Sequence, residues 1–244
     1  MLRKVAGAWI VLLLSLAYST PLFGQKPDIV AGSLQYPRII EPGKVRMSLE
    51  VSLAKAPEDI LLEMSQFRAP LFSFDLYYGL PENFLLEGKW TTVIFFTNQI
   101  AVGAKWTHEW DKLHASIGDD VAYIVGHLDN GAVKTFDNSM KGWINYPNMS
   151  VGYAFNAFAI TLRGELNILT SITATSDDIQ ISSDANIFNG GAVALYVEQP
   201  FWKDHFINIG AKANFIKFFY PTWPIFPTFN KTYFIPEFIV GFHL

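Results

Sequence analysis

The sequence predicts an all-β fold: a closed antiparallel up-and-down transmembrane β-barrel of about 10 strands, within a range of about 8–12. Three observations predict it. Hydrophobicity alternates with a period of two over long segments, the signature of strands whose successive side chains face opposite sides. Only 16% of the residues are charged, whereas 50% are hydrophobic and 16% aromatic, with 21 Phe among the 244 residues. A soluble domain of this size usually carries about 25% charge, so much of the surface is expected not to face water. Finally, the last residues alternate cleanly. Phe234, Pro236, Phe238, Val240, Phe242 and Leu244 share one face, and Tyr233, Ile235, Glu237, Ile239, Gly241 and His243 share the other.

The elements follow in order. Arg3 and Lys4, the apolar run Val5–Ala17 and the small or turn-forming residues Ser19–Gly24 have the three-part layout of a secretory signal peptide, assigned to residues 1–24. The apolar run is shorter than the roughly 18–20 residues of a membrane-spanning helix. Residues 25–43, punctuated by Pro37, Pro42 and Gly43, are expected as a periplasmic lead-in, and residues 44–244 as the barrel domain. The sequence has no cysteine, which excludes disulfides, thiolate metal sites and a lipid anchor at a cleavage point. Of 18 Lys and Arg, two precede residue 25, leaving 16 against 22 Asp and Glu, and this acidity argues against a nucleic-acid partner.

The first strand is expected at Val45–Leu53. Eight more are expected near 68–80, 84–96, 99–110, 112–127, 142–155, 158–171, 190–202 and 205–219, and the last at 233–244. Pro236 removes a ladder donor, so a local irregularity is expected there. Short turns are expected at Pro81–Asn83, around Asp111, at Asn156–Ala157 and at Lys203–Asp204, with a further one at Thr97–Asn98. Long connections are expected near 54–66, 128–141, 172–189 and 220–229. Short turns on one side and long loops on the other fit a barrel with its long loops outside the cell. A soluble sandwich or a lipocalin-like barrel also alternates, but with its apolar face inward. The final strand, the aromatic content and the N-terminal signal favour the membrane.

With the apolar face toward lipid, the inward face carries Arg46, Glu50, Asp75, Glu87, Lys89, Lys105, Glu109, Arg163, Glu165, Glu198, Lys212 and Glu237, among small residues such as Ser48, Ser52, Ser73, Gly103 and Gly152. A barrel of about eight strands is just filled by side chains, and ten leave a little more room. These charges are therefore expected to pair, because an unpaired buried charge costs several kcal/mol. A narrow polar pore is the alternative. Trp106, Trp110 and Trp202 fall near short-turn ends and Trp143 near a long-loop end, as expected of interface girdles.

The final strand, Tyr233–Leu244, resembles the assembly signal of bacterial outer-membrane barrels, with Leu244 where Phe or Trp is usual. The mature chain as a whole resembles the small Gram-negative outer-membrane barrels, and Gly24–Gln25 resembles the signal endings of Bacteroidetes proteins. The resemblance implies export to the cell outer membrane, contact with outer-membrane lipid, and recognition by the barrel assembly machinery through Tyr233–Leu244.

Catalytic signatures are scarce. The sequence contains no Gly-x-Ser-x-Gly elbow, no His-Glu-x-x-His and no phosphate-binding glycine loop, and the five histidines lack metal-ligand spacing. His114, Ser116 and Asp120 share a strand face and loosely resemble the His-x-Ser pair of outer-membrane lipid A deacylases. Ordinary lumen residues account for them better. Asp177, Asp178, Asp204 and His205 are best taken as solvated loop charges. In the proline-rich loop Tyr220–Phe229, the large apolar residues Trp223, Phe226 and Phe229 are expected over the barrel mouth or in the outer leaflet, or gripping a hydrophobic solute. The expectation is a non-enzymatic outer-membrane barrel without cofactor or metal, serving passive transport through a narrow pore or a structural surface role. A lipid-modifying hydrolase and a hydrophobic-solute binder are the alternatives.

Overall fold

The computed structural model describes residues 29–55, 68–93, 96–129, 137–176, 179–202, 205–223 and 231–244. The stretch assigned to a signal peptide lies outside the described residues. So do Phe226, Phe229, Asp177, Asp178, Lys203 and Asp204.

A single helical turn, α1 (Ile29–Gly32), precedes ten strands. They are β1 (Val45–Lys55), β2 (Arg68–Gly79), β3 (Phe84–Val93), β4 (Thr97–Trp110), β5 (Leu113–Asp129), β6 (Asp137–Ala154), β7 (Ala159–Ser176), β8 (Ile179–Trp202), β9 (His205–Ile216) and β10 (Tyr233–His243). Each strand pairs antiparallel with its chain neighbour, and β1 closes on β10 from Ser48↔His243 to Ala54↔Glu237. The sheet is a closed up-and-down barrel with no free edge along that seam.

Side-chain alternation sets the orientation. In β1, Leu49, Val51 and Leu53 stand outside while Ser48, Glu50 and Ser52 are buried. Ile117 is 63% exposed and Val102 62%, whereas Asp75 and Asn208 are fully buried. A soluble β-fold has the opposite arrangement. Lipid is the solvent that suits an apolar outer wall, and the barrel is therefore a transmembrane one. In β10, Phe234 and Phe242 point outward and Ile235, Ile239 and His243 point inward, as the sequence divides them. Trp106, Trp110 and Trp202 are exposed at short-turn ends. Trp143 is exposed toward the other end, with its ring 4.9 Å from that of Tyr123. A carboxylate, Asp119, interrupts the outer wall between Ile117 and Val121, opposite Ala104 and Pro147.

The short turns are tight. Glu82 and Asn83 both take left-handed φ, 58° and 67°, and the Phe84 N–H donates to the Pro81 carbonyl. This turn hand matches the twist of paired strands. Asp111 (φ 53°) turns β4 into β5, and a Phe155 N–H to Phe158 carbonyl bond closes the Asn156–Ala157 turn.

Three expectations are corrected. Thr97 and Asn98 are not a turn but the start of β4, paired with Val93 and Thr92; the Phe96 N–H closes onto the Val93 carbonyl just before them. Pro236 causes no irregularity with β9, since the register runs unbroken through Pro236↔Ala213. The seam with β1 stops one residue short, at Glu237, so the missing N–H falls where that pairing ends. The bulges lie instead at Trp143/Ile144, along Asn167–Ser171 and at Pro200/Trp202. Residues 172–189 are not a long loop: β7 runs to Ser176 and β8 begins at Ile179, in register from Ile172↔Ser183 to Ser176↔Ile179. Threonine and isoleucine favour strand there although the sequence lacks the regular apolar alternation of the other strands, so the hairpin continues past the recognisable membrane segment.

Replacing the outward Val51, midway along β1 between Phe72 and Val240, by Arg is expected to destabilise the barrel by about 2–4 kcal/mol, the cost of a cation at the bilayer midplane. Reversible denaturant unfolding in lipid vesicles measures it, and a loss below about 0.5 kcal/mol would contradict the lipid-facing assignment.

Candidate functional site

The lumen has apolar layers toward its two ends and charges between them. At the short-turn end the segment 29–40 enters the barrel. Ile29 and Tyr36 pack with Ala154, Ala159 and Phe206, and Leu34 and Ile40 pack with Tyr77 and Leu85. Its anchor is Glu198 on β8, which is fully buried. Oε1 accepts the backbone N–H groups of Leu34 and Gln35 at 2.7 and 2.9 Å, and Oε2 accepts that of Tyr36 at 2.6 Å. The Gln35 amide donates to Glu50 at 2.7 Å, the Tyr36 hydroxyl to the Lys112 carbonyl at 2.9 Å, and the Ile39 N–H to Glu109 at 2.9 Å. A Cβ on Gly152 would lie 2.4 Å from the Tyr36 ring, so only glycine lets the segment lie this close to β6. The stretch expected as a lead-in thus lies, from residue 29 to 40, inside the mouth of the barrel.

At the other end the chain leaving β9 turns inward. Phe218 and Trp223 pack with Ile124, Met140, Ile144, Leu169 and Ile172, and Phe219 packs with Leu71, Val93 and Ile235. Asn189 holds this turn from both sides: its amide donates to the Phe218 carbonyl at 2.8 Å and its oxygen accepts the Phe218 N–H at 2.7 Å. The Trp223 indole donates to Thr97 Oγ1 at 2.9 Å, and its ring lies against Gly126. Trp223 therefore faces the lumen, not an external solute.

Between these ends the charges pair. Lys89 lies 3.2 Å from Asp75 and 3.8 Å from Glu50. Lys105 bonds Glu87, and Lys212 bonds Glu165. Arg163 bridges Asp120 at 3.2 Å and Glu165 at 3.8 Å. Glu237 is held by the Ser52 hydroxyl and the Asn214 amide. Arg46 is exposed near the start of β1, and Glu109, near the end of β4, meets the Ile39 N–H. Asp120 belongs to this network as a partner of Arg163 and Asn148. Sequence reasoning preferred an ordinary lumen residue to a catalytic acid here but left Asp120 out of the inward charges. The lumen also holds a cavity of about 130 Å³, lined by Gln35 toward one end and by Phe218, Phe219 and Tyr220 toward the other.

His114, Ser116 and Asp120 do point to one side, all buried. They do not form a relay. His114 Nδ1 lies 2.9 Å from the Pro37 carbonyl and Nε2 lies 3.1 Å from the Asp111 carbonyl. Both ring nitrogens face acceptors, which leaves neither to take a proton from Ser116. Asp120 is engaged by Arg163 and Asn148 instead. Among the described residues no cluster of His, Asp or Glu has the arrangement of a metal site.

No protein-family model and no curated protein matches the chain. Among solved structures it is similar to the translocator domain of the autotransporter NalP from Neisseria meningitidis, at 12% identity and a TM-score of 0.46, covering 84% of this chain and 89% of that one. It is similar to the porin NanC at 10% identity and a TM-score of 0.41, covering 80% and 98%. It is also similar to Neisserial surface protein A, at 12% identity and a TM-score of 0.35, covering 82% and 96%. By its closed sheet, apolar outer wall and charged interior, the chain is a small β-barrel of the outer-membrane kind.

A valine at Gly126 would place a Cβ 2.4 Å from the Trp223 indole nitrogen. Gly126→Val is expected to expel that ring from the lumen while the barrel stays folded. Tryptophan emission should shift to the red relative to wild type, and the shift should vanish in the Trp223→Phe background. Unchanged emission from the folded variant would contradict the inward placement.

Proposed function

We propose that this protein is a non-enzymatic outer-membrane barrel whose narrow lumen is closed at rest by its own N-terminal segment at one end and by the turn at 218–223 at the other, and that passes small polar solutes only when both are displaced. The observation that carries the proposal is the Glu198 anchor. One buried carboxylate collects three consecutive backbone N–H groups and fixes residues 34–36 across the short-turn mouth. A bond to an ionised group is worth about 1.5–3 kcal/mol. Three on one carboxylate hold the segment firmly, and a single substitution removes them together.

Export through the N-terminal signal, residence in the outer membrane and recognition of Tyr233–Leu244 by the barrel assembly machinery are part of the same proposal. They are supported by the outward apolar face of β10 and its pairing with β1 at the seam. The engagement of both His114 nitrogens by carbonyls supports a role without catalysis.

Planar-bilayer recording tests the proposal. The wild-type barrel is expected to be silent, and a chain lacking residues 26–40 that also carries Phe218→Ser, Phe219→Ser and Trp223→Ser to give steady openings. Glu198→Ala combined with the three serine substitutions should give intermittent openings, because Leu34, Gln35 and Tyr36 lose their shared acceptor. Steady wild-type conductance, or silence of the deleted chain once it is shown to be folded, would overturn it. A Ser116→Ala chain should leave lipid A acylation in the host membrane unaltered; a change there would favour the hydrolase alternative.

A further inference from the structure

The lumen cavity carries more carboxylates than cations. Glu50, Glu87, Asp120, Glu165 and Glu237 line it, together with Lys89, Arg163 and Lys212. Directly behind the lining, Asp75 pairs with Lys89 and Lys105 with Glu87. The group therefore holds six carboxylates and four cations. Glu237 stands opposite Lys212 in the β9–β10 register, but Lys212 bonds Glu165, and the hydrogen bonds to Glu237 among the described residues come from the neutral Ser52 and Asn214. Buried carboxylates in excess are neutralised either by taking up protons or by a bound cation.

A second feature separates these outcomes. Asn167 Oδ1 is an acceptor without a hydrogen-bond partner on a side chain that is only 8% exposed, and Asn167 lines the same cavity. Asp120 Oδ1, also on the lining, lacks a partner too. Protonating Glu237, three strands away on β10, places no donor at the Asn167 amide oxygen on β7; a donor that enters the cavity serves both. About 130 Å³ admits a handful of water molecules. Water can supply the donor but brings no charge to Glu237. An organic ammonium supplies both. A bare metal ion fits less well, since no three ligating side chains converge among the described residues. Tyr146, Tyr196, Phe218, Phe219 and Tyr220 also line the cavity and offer ring faces to an alkylammonium chain.

We propose that this cavity is a binding site for a short aliphatic diamine, with one ammonium on the Glu237 carboxylate and the other donating to the Asn167 and Asp120 oxygens. A dication matches the excess of two carboxylates, and a chain of about four carbons suits the volume. The proposal deepens the closed-barrel reading and rests on it, since the N-terminal segment and the Phe218–Tyr220 turn form the two ends of the chamber.

The test is equilibrium dialysis of radiolabelled 1,4-diaminobutane against the full mature barrel, folded into detergent micelles in the presence of the diamine. About one diamine per barrel is expected, displaced by excess unlabelled diamine, weakly by 1-aminobutane and not by 1,4-butanediol. Glu237→Gln and Asn167→Leu are each expected to weaken binding about tenfold or more. Heat-modifiable gel mobility shows which variants fold, and either folded variant suffices. Absence of saturable binding to the wild type, equal displacement by the diol, or full affinity in a folded variant would each overturn the proposal. Conductance is measured separately. A silent barrel that binds no diamine defeats this inference alone, whereas steady wild-type openings defeat the closed-barrel reading.

Discussion

Everything in this molecule depends on the hydrogen-bonded seam between β1 and β10. In hydrocarbon an unpaired N–H or C=O costs several kcal/mol, so a sheet can cross only when its first and last strands satisfy each other. Seven registered pairs, Ser48↔His243 to Ala54↔Glu237, do this here. Closure has a second effect. It turns half of all side chains toward one another in a space that ten strands make wider than the chain's inward residues alone can fill. The protein fills that space with two additional pieces of itself, the 29–40 segment and the turn at 218–223.

The resulting interior is layered. Charges occupy the middle, where Lys89, Lys105, Arg163 and Lys212 each meet one or two carboxylates. Apolar side chains occupy the ends, where incoming segments must dock without leaving polar groups stranded. The N-terminal segment has no strand partner of its own, and Glu198, Glu50 and Glu109 supply acceptors for its N–H groups. Glycine at 152 and 126 provides room where a ring lies against the wall.

The barrel itself was legible in the sequence because lipid imposes a strict period of two. The alternation in β1 and β10 separated the two faces, the final strand, the aromatic content and the N-terminal signal favoured lipid for the apolar one, and the girdle tryptophans follow from the same pattern. Beyond the membrane that constraint ends, and so did the legibility: the upper part of the β7–β8 hairpin resembles a polar loop because both of its faces are free to be polar. The inward charges were readable by parity alone, from Glu50 to Glu237, but their partners were not. Pairing such as Lys212 with Glu165 crosses strands that are far apart in sequence. The segment 29–40 was missed because its fit is made by backbone N–H groups, which every sequence has. A signal did exist for the other end: Tyr123–Ile124–Val125 is apolar on both faces, which a simple lipid-outside, polar-inside wall does not need.

The Glu198 contact also has a consequence for the order in which the protein is built. It joins residue 35 to a carboxylate 163 positions later. No acceptor waits for those N–H groups until eight strands are in place, so the first described part of the chain is among the last to be fixed in its seat. A chain halted before β8 would keep the partners of Leu34 and Ile40 on β2 and β3 but leave the N–H groups of residues 34–36 without their shared acceptor, so the greasy contacts can form before the polar ones that lock them.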